Sequence, residues 1–171
     1  MKRLDVVKQI VPPLSSSLQT ASAFAPANIA LCKYWGKRDS ELNLPMTSSL
    51  SVSLGDKGTC TKISVNDQDK IILNGDMLSL DLPFAKRLIA YLDLFRTQDH
   101  LHFSIETTNN IPTGAGVASS ASGFAALVLA LDKLFQWQLD KKYLSILARL
   151  GSGSACRSLW RAAGNLRCAV P

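Results

Sequence analysis

An α+β domain is the fold class the sequence predicts, and three observations carry it. Polar and apolar residues alternate in Ser48-Ser49-Leu50-Ser51-Val52-Ser53-Leu54 and in Leu101-His102-Phe103-Ser104-Ile105-Glu106, the period of a half-buried strand. Apolar residues recur at helical spacing after Pro83 and again after Ser120. A glycine-rich stretch, Ile111-Pro112-Thr113-Gly114-Ala115-Gly116-Val117-Ala118-Ser119-Ser120-Ala121, leads from the second strand into the second helix. The 171 residues suffice for one domain with a real core.

Taken in order, residues 1–19 read as a poorly ordered leader. Met1-Lys2-Arg3 is charged like the start of a signal peptide, but Asp5 and Lys8 interrupt any apolar run and Pro12-Pro13 follows. No export signal is read, and the expected compartment is the cytoplasm. Regular structure is expected from near Thr20. Ser22 to Tyr34 reads as an extended segment that runs into a loop at Gly36. Cys60 to Val65 and Lys70 to Leu73 read as strands, with turn signals at Asn66-Asp67 and Asn74-Gly75. With the strand before them they suggest an antiparallel meander. Pro83 opens a helix, since proline is tolerated in the first turn, and Phe84, Leu88, Leu92 and Phe95 share a face. In the strand that follows, His102 lies on the polar face with Ser104 and Glu106 and reads as solvated. His100, in the turn before it, reads the same way, so no catalytic histidine is evident. The helix after the glycine stretch puts Ala121, Phe124, Ala125, Val128, Leu131 and Phe135 on one face. A shorter helix, from about Asp140 to Leu150, turns Tyr143, Leu144 and Leu147 inward.

Composition excludes several classes. The longest apolar run, Phe124 to Leu131, is far below the roughly 20 residues of a membrane span. Cys32, Cys60, Cys156 and Cys168 include no C-x-x-C pair, so neither zinc nor a redox pair is indicated, and free thiols are expected. The net charge of +6 is spread along the chain and suits an anionic partner of any kind. The aromatic platform of a single-strand binder is missing, so nucleic acid is not the expected partner.

Three segments carry chemistry. In the glycine stretch, backbone N–H groups approach an anion without a Cβ in the way, and the serines fall at a helix N-terminus that favours negative charge. In Ala25-Pro26-Ala27-Asn28-Ile29-Ala30-Leu31-Cys32-Lys33-Tyr34-Trp35-Gly36-Lys37-Arg38, three cations and two aromatics crowd around one glycine. Tyr34 offers a hydrogen bond, and Lys37 neutralises a phosphate or carboxylate. In Gly151-Ser152-Gly153-Ser154-Ala155-Cys156-Arg157-Ser158, hydroxyls stand beside a guanidinium able to hold an oxyanion bidentately.

These segments, together with Asn43-Leu44-Pro45-Met46-Thr47-Ser48-Ser49, give the chain a resemblance to the diphosphomevalonate decarboxylases of the small-molecule (GHMP) kinase superfamily, over roughly residues 20–159. The glycine stretch marks the superfamily. K-Y-W-G-K and G-S-G-S-A-C-R-S are more specific to the decarboxylases. The resemblance implies an N-terminal domain related to the second domain of ribosomal protein S5. It implies ATP-dependent decarboxylation of 5-diphosphomevalonate to isopentenyl diphosphate, with ATP and Mg²⁺ as cofactors. By the same match, Pro112, Gly114, Ala115, Gly116, Ser119 and Ser120 contact ATP phosphates, with Ser120 the candidate near Mg²⁺. Tyr34, Trp35, Gly36 and Lys37 line the substrate site. Ser152, Gly153, Ser154, Ala155, Cys156 and Arg157 grip the diphosphate and carboxylate ends, and Asn28 and Lys37 support catalysis. A homodimer is common among relatives.

The sequence departs from the family at its end. The family's aspartate base lies in a D-A-G-P-N-like segment of a second domain, and residues 1–171 contain no such segment. Residues 160–171 lack strand alternation and a helical face. A frameshift or premature stop is therefore expected, and with it a chain weakly active or inactive alone. Two other functions fit the same residues: a mevalonate-type kinase that does not decarboxylate, and an inactive nucleotide-binding remnant.

Overall fold

The computed structural model describes residues 2–13, 17–96, 101–111 and 119–160. In chain order the elements are α1 (Arg3–Ile10), β1 (Thr20–Cys32), a small hairpin of β2 (Lys37–Asp39) and β3 (Leu44–Pro45), β4 (Leu50–Asn66), β5 (Lys70–Leu73), β6 (Asp76–Met77), α2 (Pro83–Leu92), β7 (His102–Asn109), α3 (Ser119–Leu134), α4 (Lys141–Gly151) and a 3₁₀ turn over Ala155–Leu159. The class is α+β, as the patterning predicts.

The main sheet has the order β1-β4-β7-β5-β6, and this corrects the expected meander. β7 inserts between β4 and β5, pairing antiparallel with the first and parallel with the second. A parallel pair needs a crossover, and the segment carrying α2 supplies it. The inner position suits β7, whose Phe103 and Ile105 are buried. Asn74 and Gly75 both take positive φ in the tight turn between β5 and β6, as the Asn-Gly signal predicts.

The two strands expected at 48–54 and 60–65 are one element, β4. Its pairing with β1 jumps between Pro26↔Gly58 and Asn28↔Ser53, so residues 54–57 bulge, with Gly55 at positive φ. The bulge is clamped from the end of β7. Asn110 Nδ2 donates to the Asp56 carbonyl at 2.6 Å, and the Gly58 N–H donates to Asn110 Oδ1 at 2.6 Å. Thr59 reaches the neighbouring pieces: its hydroxyl lies 2.7 Å from Asn109 Oδ1 and 2.7 Å from Ser122 Oγ on α3. The entry to the glycine stretch and the helix leaving it are thus tied to one point on β4.

α3 packs across β1 and β4. It is buried nearly all round rather than on one face, with Ala126, Leu127, Ala130 and Leu134 joining the predicted set. Its small residues let the helix lie close to the strands. On α2, Leu88, Leu92 and the following Phe95 are buried as expected, but Phe84 is exposed, and Tyr91 is the buried aromatic. Tyr91 packs edge-on against Phe124 and donates its hydroxyl to the Leu147 carbonyl at 3.0 Å. α4 buries Leu144 and Leu147 but leaves Tyr143 exposed.

The expected poorly ordered leader contains a helix. In α1, Val6 and Val7 are buried, and Arg3 Nε donates to the Glu41 carbonyl at 2.8 Å. A short polar helix has little propensity of its own, so docking of those two valines holds it.

His102 is not simply solvated. Asp69, Arg96 and His102 form a cluster that joins the turn before β5 to the segment after α2 and the start of β7. Arg96 Nη2 lies 2.7 Å from Asp69 Oδ2, the Phe103 N–H donates to Asp69 Oδ1 at 3.0 Å, and His102 Nδ1 lies 3.7 Å from Asp69 Oδ2. Burial pushes the Asp69 carboxyl up. The hydrogen bonds from Arg96 and Phe103 and the nearby Arg96 and His102 charges outweigh it and leave the carboxyl below its ordinary value. A carboxyl more acidic when folded stabilises the fold above its unfolded pKa, and that contribution is lost as pH falls through the folded value. Stability is therefore expected to fall below about pH 4. In Asp69→Asn the acid limb flattens. Urea unfolding between pH 2.5 and 6 checks this, and parallel acid limbs in the two proteins would contradict it.

Candidate functional site

The first and third chemistry-bearing segments meet at the C-terminal end of β1. Asn28 is 5 % exposed there, and its amide faces the 3₁₀ turn. Asn28 Nδ2 donates to Ser158 Oγ at 2.7 Å, and Asn28 Oδ1 accepts from Arg157 Nε at 3.3 Å. Arg157 Nη1 donates to Ser49 Oγ at 2.7 Å. The guanidinium is thus tethered to β1 and to the segment before β4.

Lys37 stands at the start of β2, and its Nζ donates to Asn43 Oδ1 at 2.7 Å. Asn43 is buried at positive φ, and its Nδ2 donates to the carbonyls of Arg149 and Leu150 at 3.0 and 3.3 Å. Those are last-turn carbonyls of α4, without an intrahelical donor. Gly153 closes the arrangement: a Cβ placed there would stand 2.5 Å from the Tyr34 hydroxyl and 3.8 Å from Asn43 Cβ. Only glycine lets Tyr34 come this close to the turn. Gly36 takes positive φ at the tip of the first segment.

Gly153 thus stands against Tyr34, and Lys37 is joined through Asn43 to the end of α4, while Arg157, in the turn that follows, is held by Asn28 and Ser49. Ser152 and Ser154 face each other with oxygens 3.4 Å apart, and the Cys156 thiol donates to the Gly153 carbonyl at 3.5 Å. Trp35 is not gathered: it is 79 % exposed, with its backbone N–H on Thr47 Oγ1. Ala155 is fully buried and donates its N–H to the Ser152 carbonyl, so it seats the turn rather than offering a surface. Gly151 ends α4 instead of opening a loop. A Cβ there would lie 2.6 Å from Phe124 Cγ.

Of the nucleotide candidates, Pro112, Gly114, Ala115 and Gly116 lie outside the described residues, as does the Ser119 side chain. Ser120 is half-buried in the first turn of α3. Beside it lies an apolar cavity of about 220 Å³, walled by Leu73, Phe84, Leu88, Ile105 and Leu127, with Asn109 among its few polar groups. Among the described residues no group of His, Cys, Asp and Glu is placed to hold a metal ion, and no helix is long and apolar enough to cross a membrane.

Asn43, Ser49 and Ser158 were not singled out in the sequence. The first two lie in the N-L-P-M-T-S-S run that contributes to the resemblance, which was the available signal. The electrostatic consequence is common to both cations. Lys37 is held by a neutral amide, and Arg157 by a neutral amide and a hydroxyl. Among the described residues neither joins an ion pair, so both charges remain unmet.

Comparison with known proteins gives one consistent result. The model of the diphosphomevalonate decarboxylase-like N-terminal domain matches residues 25–167. A diphosphomevalonate decarboxylase of Candida albicans is 46 % identical over 158 residues, covering 84 % of this chain and 44 % of the relative. The crystal structure of mevalonate diphosphate decarboxylase from Staphylococcus aureus superposes with a TM-score of 0.76 at 44 % identity, over 82 % of this chain and 43 % of that one. A structure of MDDEF in complex with MVAPP, AMPPCP and magnesium superposes with a TM-score of 0.74 at 43 % identity, over 82 % of this chain and 44 % of that one. The chain spans less than half the length of these relatives.

Proposed function

The chain belongs to the diphosphomevalonate decarboxylase-like N-terminal domain family, and from that premise we propose that it supplies the substrate grip and the nucleotide-phosphate loop of an ATP-dependent decarboxylase acting on 5-diphosphomevalonate. The observation that carries this reading is the pair of unneutralised cations, Lys37 and Arg157, each pre-oriented by neutral partners. A structural ion pair would have consumed those charges. Here they await an anion, and a diphosphate with a carboxylate at its other end offers two.

In the proposed reaction ATP phosphorylates the tertiary hydroxyl of the substrate. Departure of that phosphate drives loss of CO₂ and leaves isopentenyl diphosphate. Such chemistry asks the protein for positioning and charge neutralisation more than for a covalent nucleophile. Arg157, with a planar fork, suits bidentate hold of an oxyanion, and Lys37 suits a point contact. Tyr34 and Ser152 offer hydroxyls between them. The glycine stretch and Ser120 take the nucleotide phosphates, and the apolar cavity beside Ser120 takes the base. The Ser120 hydroxyl, in the first turn of α3, would be the protein ligand to a magnesium ion bound with the nucleotide, whose charge would help neutralise the phosphates.

Calorimetric titration of the purified chain with mevalonate diphosphate tests this, beside ATP-dependent CO₂ release. Binding that weakens on the order of ten-thousandfold in Lys37→Ala/Arg157→Ala, at constant salt, is the expected result, since a bidentate guanidinium contact and an ammonium contact are both removed. Absence of binding to the wild-type chain, or binding indifferent to the double substitution, would overturn the reading. Phosphorylation of the substrate without CO₂ would turn it into a kinase.

A further inference from the structure

We propose that Asn43 is a positioning residue that fixes the Lys37 ammonium while leaving its charge intact. The inference rests on the reading of this site as an anion grip. Three observations place Asn43 in that role. It is 8 % exposed and takes φ of 52°, a backbone state that asparagine tolerates better than most side chains. Its amide N–H₂ is spent on the last carbonyls of α4, through bonds of 3.0 and 3.3 Å to Arg149 and Leu150. Both donors being engaged there, the orientation of the amide is determined, and its oxygen points back to Lys37 Nζ at 2.7 Å.

The chemical identity of the side chain follows. A residue that donates to two carbonyls and accepts from an ammonium must be an amide. Aspartate would accept from Lys37 as well, but it would set a negative charge against two carbonyl oxygens and neutralise the cation. Asn43 instead links α4, next to Gly153 and the Tyr34 hydroxyl, to the tip of the first segment. α1 supports the same loop from outside, where Arg3 holds the Glu41 carbonyl and Leu42 is buried in the core. Asn43 is placed to act through Lys37, by the bond to its ammonium.

Two substitutions separate its two parts. Asn43→Gly keeps the positive φ and removes the amide. Asn43→Asp keeps the acceptor and adds a charge. The first readout is the ¹³C relaxation of Lys37 Cε, which needs no ligand. Lys37 is expected to be immobile in the wild type, mobile in Asn43→Gly and immobile in Asn43→Asp, with the amide spectrum of α4 retained. Mobility unchanged in Asn43→Gly overturns the inference. The second readout is the affinity for inorganic pyrophosphate. It is expected to fall roughly tenfold in both variants, the scale of one hydrogen bond to a charged group. The order of Lys37 and the affinity then part company in Asn43→Asp, which a merely structural role would not produce. Pyrophosphate binding as tight in Lys37→Ala as in the wild type overturns the anion-grip reading itself. Binding weakened in Lys37→Ala but unchanged in both Asn43 variants overturns the inference alone.

Discussion

Replacing Gly58 by alanine is expected to destabilise the domain by about 3 kcal/mol, at the upper end of overpacking costs. The added Cβ would fall on the Ala25 carbonyl oxygen and 2.7 Å from Pro26 Cα. Both obstacles are backbone of the paired strand β1, so no side chain can rotate away. The strands must part where their register already jumps, and the bond from the Gly58 N–H to Asn110 is strained with them. In a domain of this size the loss lowers Tm by roughly 6–12 °C. Gly123→Ala is the matching control. Nothing lies within 4 Å of a Cβ there, and the position is inside α3. It should stabilise by about 0.5–1 kcal/mol through helix propensity and a less free unfolded chain. Thermal unfolding followed by circular dichroism compares the two. A Gly58→Ala protein melting within about 2 °C of wild type would show that β1 yields more easily than its pairing implies.

The same region shows where the sequence was legible and where it was not. Alternation located the strand residues at 48–54 and 60–65 because each has a wet face and a dry face. It did not show that they are one strand, because the bulge at 54–57 is made by backbone conformation and by Asn110 from 52 residues away. Strand order was equally hidden. Period tells which residues pair with something, not with what, and β7 takes its place beside β5 only because α2 carries the chain across. α1 was missed since its two buried valines have meaning only against the rest of the core. At the site, charged and glycine-flanked residues were visible: Asn28 meets Arg157, and Tyr34 meets Gly153. Their neutral partners Asn43, Ser49 and Ser158 were not picked out, since an amide or hydroxyl has no signature until its neighbour is known. Trp35, conspicuous in the sequence, turns out to be exposed.

Arg157 is where substitution should cost ligand affinity most. Two of its five N–H donors are engaged, one by Asn28 and one by Ser49, which leaves the other three for an oxyanion. Arg157→Ala removes a charge and a bidentate contact, so affinity for mevalonate diphosphate should fall on the order of a thousandfold. Arg157→Lys retains the charge but has no fork: it cannot hold both Asn28 and Ser49 and still present two parallel donors. Most of the loss should persist, at about a hundredfold. Asn28→Ala adds a further test, because it frees one tether and leaves Ser158 without its amide partner while the guanidinium remains. A loss of about tenfold is expected there. The ranking Ala, then Lys, then the Asn28 variant is the signature of a guanidinium whose direction matters as much as its charge. Titration calorimetry at fixed ionic strength measures all three, with circular dichroism to confirm the fold. If Arg157→Lys binds as tightly as wild type, the site reads only charge, and the tethers of Arg157 to β1 and Ser49 serve the fold instead of the ligand.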